Sequence, residues 1–226
     1  MLYIVGSPIG NLKDITLRAI ETLDEVDLIL CENPEKTLKL IESLFKLNLI
    51  KSKKKILNFR RVKNLIEVLT NKKVAFLVSS GMPGVSDPVA SLVKICIENK
   101  INFECIPGPS ALTTVISLLP FQVKNLVFLG FLPKKEGKIK KFLNYFLKNK
   151  VTIIFFESPF RILKTLRLIE KILKDCKVEA DFFIFKELTK INQRYYFGKI
   201  EKIIKEIEQN KIKGEWTVAI RSYGII

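Results

Sequence analysis

Histidine is absent from the 226 residues. Without imidazole there is no Ser-His or Cys-His nucleophilic pair and no general base with an ordinary pKa near neutrality, so any chemistry must run on other groups. Metal sites suffer from the same lack. Cys31, Cys96, Cys105 and Cys176 sit in or beside apolar runs with no Cys-x-x-Cys spacing, and no histidine can complete a ligand set. They read as buried, reduced thiols, and no metal is expected. Long apolar runs are also missing: those such as 151–156 fall far short of the ~20 residues of a membrane helix, so no membrane association is expected. The start, Met1-Leu2-Tyr3-Ile4-Val5-Gly6, reads as a strand entering a loop and lacks the features of a signal peptide. A cytoplasmic protein is expected.

Negative charge is scarce, with 23 Asp and Glu against 39 Lys and Arg and a net charge of +16. Such an excess suits a polyanionic partner, because each phosphate neutralised by a cation releases counterions. Only seven of the basic residues are Arg, and a Lys-rich, Ile-rich composition is a competing source of the same excess. The cations nevertheless cluster. One group runs from Lys51 through Arg60 and Arg61 to Lys63, and another comprises Lys134, Lys135, Lys138, Lys140 and Lys141. Arg60, Arg61, Lys134, Lys135 and Lys138 are candidate RNA contacts.

An apolar content of 48% and 16 Phe supply well-filled cores, and the length accommodates two domains of about 100 residues each. β-rich runs at 2–5, 27–31, 55–59, 74–79 and 102–106 alternate with helical patterns at 14–23, 34–45, 62–70, 88–99 and 110–118. Alternation of this kind predicts a mostly parallel sheet with crossover helices. Asn33 followed by Pro34 marks a helix start, and Leu38, Ile41, Leu44 and Phe45 then recur at helical spacing. After Leu119-Pro120-Phe121-Gln122 the pattern changes. Strands are expected at 126–131, 151–156, 178–186, 194–199 and 216–221, and helices at 137–148, 160–174 and 200–210. The short connection 188–193 leaves no room for a crossover helix, which implies a mixed second sheet. The expected organisation is a two-domain α/β chain: 1–120 with a mostly parallel sheet and flanking helices, and 121–226 with a mixed sheet and helices.

Three loops collect Gly and Pro directly after predicted strands: Gly6 to Asn11, Ser79 to Pro88, and Ile106 to Ala111. Open α/β sheets bind ligands at the carboxyl ends of their strands, where glycine permits close backbone approach and free N–H groups meet anionic groups. None of the three is a Gly-x-Gly-x-x-Gly turn opening a helix or a Gly-x-x-x-x-Gly-Lys-Ser/Thr loop. An ordinary dinucleotide-binding enzyme and a P-loop NTPase are therefore disfavoured.

Six segments occur in order: Ser7-Pro8-Ile9-Gly10-Asn11-Leu12-x-Asp14-Ile15-Thr16-Leu17-Arg18-Ala19; Gly81-x-Pro83-Gly84-x-Ser86-Asp87-Pro88; Ile106-Pro107-Gly108-Pro109-Ser110-Ala111; Gly130-Phe131-Leu132-Pro133; Glu157-Ser158-Pro159-x-Arg161; and Glu187-Leu188-Thr189-Lys190. Through them nearly the whole chain resembles the ribosomal RNA small subunit methyltransferase I family, cytidine 2′-O-methyltransferases of 16S rRNA within the tetrapyrrole-methylase superfamily. The resemblance implies S-adenosylmethionine held in a cleft between two α/β domains, and a homodimer. By motif, Pro8, Gly10, Ser79, Ser80, Gly81, Met82, Pro83, Pro107, Gly108, Pro109, Ser110 and Ala111 would hold the cofactor, with Glu157 and Ser158 facing them. Glu187 is the candidate proton acceptor and Lys190 its electrostatic partner. The alternative for Glu157 and Glu187 is structural: each caps a helix or pairs with a nearby cation such as Arg161 or Lys190.

This chain also departs from the family pattern. Asn33-Pro34-Glu35 replaces an acidic residue, a hydroxyl and a cation, and Phe59-Arg60-Arg61 stands where a His-rich segment is usual. Ser79-Ser80-Gly81-Met82-Pro83 is one residue short and lacks an Asp, while Phe160 and Asn192 occupy His positions. The backbone-type loops survive as polar side chains are lost, which leaves open another RNA site, a small molecule such as a tetrapyrrole, or a non-catalytic RNA-binding relative.

Overall fold

In the computed structural model, which describes residues 1–85 and 87–225, the chain forms two compact units, Met1–Ser110 and Ala111–Ile226. The first contains β1 (Leu2–Val5), α1 (Leu17–Glu25), β2 (Leu28–Cys31), α2 (Pro34–Lys46), β3 (Lys55–Asn58), α3 (Leu65–Asn71), β4 (Val74–Leu77), α4 (Val89–Glu98) and β5 (Phe103–Ile106). Its five strands are ordered β3-β2-β4-β1-β5, and every pairing is parallel. The central strands β2 and β4 are buried throughout, as parallel strands covered on both faces should be. Leu2, Ile4, Leu28, Leu30, Val74 and Phe76 fill one side, and Val5, Ile29, Ala75 and Leu77 the other.

Local chemistry sets the helix ends. The Asn33 side chain accepts from the Lys36 N–H at 3.1 Å with Pro34 in the first helical position, so α2 starts where the sequence predicted. The first helix starts later than expected. Asn11 accepts from the Lys13 N–H and closes a 3-10 turn at Leu12–Asp14, Ile15 is extended, and Thr16 Oγ1 accepts from the Ala19 N–H at 3.1 Å to open α1.

The second unit contains α5 (Ala111–Ser117), β6 (Leu126–Phe131), α6 (Glu136–Lys148), β7 (Thr152–Glu157), α7 (Ile162–Cys176), β8 (Val178–Lys186), β9 (Arg194–Gly198), α8 (Ile200–Glu208) and β10 (Trp216–Ile225). Helix α5, which the sequence reading put at the end of the first domain, packs against β10. The sheet order is β6-β7-β10-β8-β9; β6 and β7 are parallel and the other pairings antiparallel. Strands β6, β7 and β8 consequently run the same way. Helices α6, α7 and α8 contribute to one core with Ile153, Phe155, Phe182, Ile184, Trp216 and Val218. In α8 the buried Ile200, Ile203, Ile204 and Ile207 keep i, i+3, i+4, i+7 spacing, each contributing about 1.5–3 kcal/mol of burial. A charge at Ile204 would detach the helix.

Candidate functional site

Because the first sheet is wholly parallel, the loops after β1, β4 and β5 emerge at one edge, and these three strands are neighbours. Main chain builds that edge. Gly6 and Gly108 pass back to back: a Cβ on Gly6 would lie 2.7 Å from the Gly108 Cα and N, and one on Gly108 would lie 2.9 Å from the Gly6 Cα. The Gly6 N–H donates to the Ile106 carbonyl at 3.0 Å. Ser7 and Gly81 exchange N–H···O bonds of 3.0 and 3.2 Å, and the buried Ser7 hydroxyl donates to the Val78 and Gly81 carbonyls at 3.4 and 3.3 Å. Gly81 has φ +81°, a conformation that disfavours any side chain.

Farther along the second loop, Asp87 accepts from the Gly84 and Val89 N–H groups at 2.7 and 3.1 Å. Ser86 lies outside the described residues. Of the expected cofactor residues, Gly10, Ser79, Ser80 and Pro107 are exposed; Pro8, Met82, Gly108, Pro109, Ser110 and Ala111 are partly so; and Gly81 and Pro83 are buried. None of these twelve carries a charge. The edge therefore offers peptide groups and the hydroxyls of Ser79, Ser80 and Ser110 to a ligand, while the buried glycine and proline hold the loops.

Arg60 and Arg61 are exposed at the same edge, in a 3-10 turn following β3. Asn58 fixes that turn, accepting from the Arg60 N–H and donating to the Glu32 carbonyl. Arg60 lies over the Phe59 ring and 3.5 Å from Glu32.

The second unit repeats the arrangement with side chains. The segments after β6, β7 and β8 leave one edge, so Leu132-Pro133, Glu157-Ser158-Pro159 and Glu187 to Lys190 share it. Glu157 is 2% exposed, and its oxygens are spoken for: Oε1 accepts from the Ser158 N–H at 2.8 Å, and Oε2 accepts from the Thr165 hydroxyl at 2.7 Å and lies 3.4 Å from Arg161. The Arg161 guanidinium also donates to the Leu132 and Pro133 carbonyls at 3.0–3.2 Å, bracing the β6 segment against the β7 segment.

Glu187 is gripped similarly. Its Oε1 accepts from Lys190 Nζ at 2.9 Å and from the Glu215 N–H at 2.8 Å, while Lys190 also reaches Glu215 at 2.8 Å. Burial works to raise the Glu187 pKa, but the Glu215 N–H and the Lys190 ammonium outweigh it and hold the carboxyl below its ordinary range. Burial likewise works to lower that of Lys190, and Glu215 and Glu187 hold it above the usual lysine value. Glu187 and Thr189 take left-handed φ values of 54° and 62°, a costly choice for a β-branched residue. Gly214 stands so close that a Cβ there would lie 2.6 Å from the Glu187 Cγ.

Lys134, Lys135 and Lys138 are exposed where α6 begins and form no ion pair among the described residues. Among those residues there is also no group of three or more His, Cys, Asp or Glu suited to a metal, and no helix long and apolar enough to cross a membrane.

A family model described as Tetrapyrrole (Corrin/Porphyrin) Methylases matches residues 1–204. The chain belongs to this family. Among individual relatives of this tetrapyrrole methylase, the ribosomal RNA small subunit methyltransferase I of Thermotoga maritima is 41% identical over 97% of each chain. The protein of that name from Coprothermobacter proteolyticus is 38% identical, again over 97% of each, and that of Helicobacter pylori 34% identical over 97% of this chain and 82% of its own. The fold matches a cobalt precorrin-4 methyltransferase with a TM-score of 0.67 at 14% identity, covering 96% of this chain and 93% of that one. It also matches the uroporphyrin-III-C-methyltransferase of Thermus thermophilus, with a TM-score of 0.62 at 16% identity and 96% and 93% coverage. The chain is thus a methyltransferase.

Several residues that build these two edges were not singled out from the sequence as site residues. Gly6 and Ser7 lie within a highlighted loop, and glycine directly after a strand was the available signal for the former. Arg161 belongs to a quoted motif, but its bond to Leu132 joins residues 29 apart. Thr165, Gly214 and Glu215 carry no local sign of their contact with Glu157 or Glu187.

Proposed function

We propose that this methyltransferase transfers a methyl group from S-adenosylmethionine to a cytidine ribose 2′-oxygen of 16S rRNA, in the cytoplasm and as a homodimer. The observation that carries the reading is the near full-length identity of 41% to a ribosomal RNA small subunit methyltransferase I. The first edge fits such a cofactor physically. Its Gly6–Gly108 contact brings main chain where a Cβ would intrude, and Ser79, Ser80 and the Pro107–Ala111 backbone present uncharged hydrogen-bonding groups to a zwitterionic nucleoside. When bound, S-adenosylmethionine supplies an electrophilic methyl on a sulfonium.

This chain's own residues would position and assist. A ribose hydroxyl is a weak nucleophile whose proton must be taken up during or after attack. Glu187, kept ionised by Lys190 and the Glu215 N–H, retains Oε2 as the acceptor in this proposal, with Lys190 stabilising its negative form. Its depressed pKa makes it a weak base, so most of the rate would come from orientation and exclusion of water. Glu157 would act through Arg161 and Ser158 by fixing the shape of the edge. Arg60, Arg61, Lys134, Lys135 and Lys138 would hold RNA phosphates, contacts that position without reading sequence.

Nucleotide-resolution mapping of 2′-O-methylation in 16S rRNA, with and without the gene, tests the reading. A methylated cytidine that disappears on deletion and returns with the wild-type chain supports it, and an unchanged map rules it out. Calorimetry with S-adenosylmethionine tests the cofactor separately.

A further inference from the structure

The turn after β7 carries a ring that the fold does not use. Phe160 is 95% exposed, although its backbone is firmly held. Its N–H donates to the Ser158 hydroxyl at 3.2 Å, and the next two N–H groups donate to the Ser158 carbonyl at 3.0 Å. Arg161, the adjoining residue, is tied through its guanidinium to the Leu132 and Pro133 carbonyls, directly before Lys134 and Lys135. A bare aromatic ring on a braced turn thus stands beside a segment whose exposed lysines lack carboxylate partners among the described residues; the intervening Glu136 pairs with Lys164 instead.

A single exposed apolar side chain is ordinary on a protein surface. An exposed ring on a firmly held backbone next to unneutralised cations is a more particular combination, because it matches the two chemistries of single-stranded nucleic acid: an aromatic face for a base and positive charge for the backbone. We propose that Phe160 is a base-stacking residue, receiving the face of an unpaired nucleobase of the RNA while Lys134 and Lys135 engage the flanking phosphates. The inference rests on the reading of the substrate as RNA. The turn already fixes the backbone that carries the ring, so stacking needs only the two side-chain torsions of Phe160 to order and no loop rearrangement.

The test uses the full chain with two short fluorescent probes: a single-stranded RNA of mixed sequence and the same strand with abasic sites in place of bases. Phe160→Ala is expected to weaken binding of the first by roughly five- to a hundredfold, the range one base stack supplies, and to leave the second unchanged. Phe160→Trp should retain the affinity, and circular dichroism should be the same for all three proteins. Lys134→Gln with Lys135→Gln should weaken both probes alike. Equal loss of both probes in Phe160→Ala, or no loss of either, overturns the proposal. So does a change of oligomeric state with RNA affinity intact, which would assign the ring to a second copy. Methyl incorporation into small-subunit RNA by the unaltered enzyme is read in parallel. Its absence together with a base-dependent Phe160 effect would sink the rRNA reaction and leave the stacking role standing.

Discussion

The carboxyl edges of the two sheets solve the same problem with different materials. In the first unit three loops are locked by peptide groups, through the Gly6–Gly108 contact and the Ser7–Gly81 exchange, and the expected ligand-facing residues are uncharged. In the second, buried or half-buried carboxylates do the locking: Glu157 with Arg161 and Thr165, and Glu187 with Lys190 and the Glu215 N–H. A main-chain edge tolerates changes of side chain but hardly any at its glycines. A side-chain edge depends on a few ion pairs, and its stability follows pH.

The largest effect is expected where a buried carboxylate is removed. Glu157→Ala leaves the Thr165 hydroxyl and the Ser158 N–H without their acceptor and the Arg161 charge without its counterion, and should cost about 3–4 kcal/mol in chemical denaturation, a loss far below that figure dissolving the contrast. Next comes the main-chain edge. Gly108→Ala forces a methyl into the Gly6 backbone and should cost about 1–3 kcal/mol, while lowering S-adenosylmethionine affinity at least tenfold by calorimetry. Unchanged cofactor affinity would separate that contact from the ligand.

Glu187→Gln should cost about 1–2 kcal/mol near neutral pH, since charge-assisted bonds at a partly exposed site are lost. The sign with pH follows from the direction of its shift. A depressed carboxyl stabilises fully above its ordinary value of 4.5 and loses that contribution as pH falls through its lower folded value, so the variant should show a shallower acid limb. For Lys190, whose pKa is raised, the contribution is complete below 10.5 and fades as pH climbs through the higher folded value. The smallest change in stability belongs to Lys134→Gln with Lys135→Gln, which should leave denaturation unaltered. Each substitution should instead reduce the salt slope of RNA binding by about 0.7. An unchanged slope would detach these lysines from the RNA.

Much of the fold was legible because periodicity and punctuation coincide. The 3.6-residue pattern of α8, the Asn33-Pro34 start of α2 and the strand runs at 2–5, 126–131 and 178–186 carry their signals within a few neighbouring residues. The delayed start of α1 was less visible, since Asp14 and Thr16 both offer capping chemistry and the 3-10 turn decides between them. Gly/Pro clustering identified the loops of the first edge. Partners such as Arg161 with Leu132, or Gly214 with Glu187, stayed hidden because strand order brings them together and nothing local records it. Glu157 illustrates the limit: its motif drew attention, while its hydrogen bonds turn its carboxylate inward.

β10 is the last strand of its sheet to be synthesised and the middle one in space, with β7 on one side and β8 on the other. On the ribosome, the first unit has all its strands once residue 106 has emerged. The second cannot join its two halves until residues 216–225 arrive, so it waits as two separate hydrogen-bonded ribbons with free edges. A chain of this design is most exposed to aggregation before β10 has paired, while β7 and β8 each present an unfilled edge.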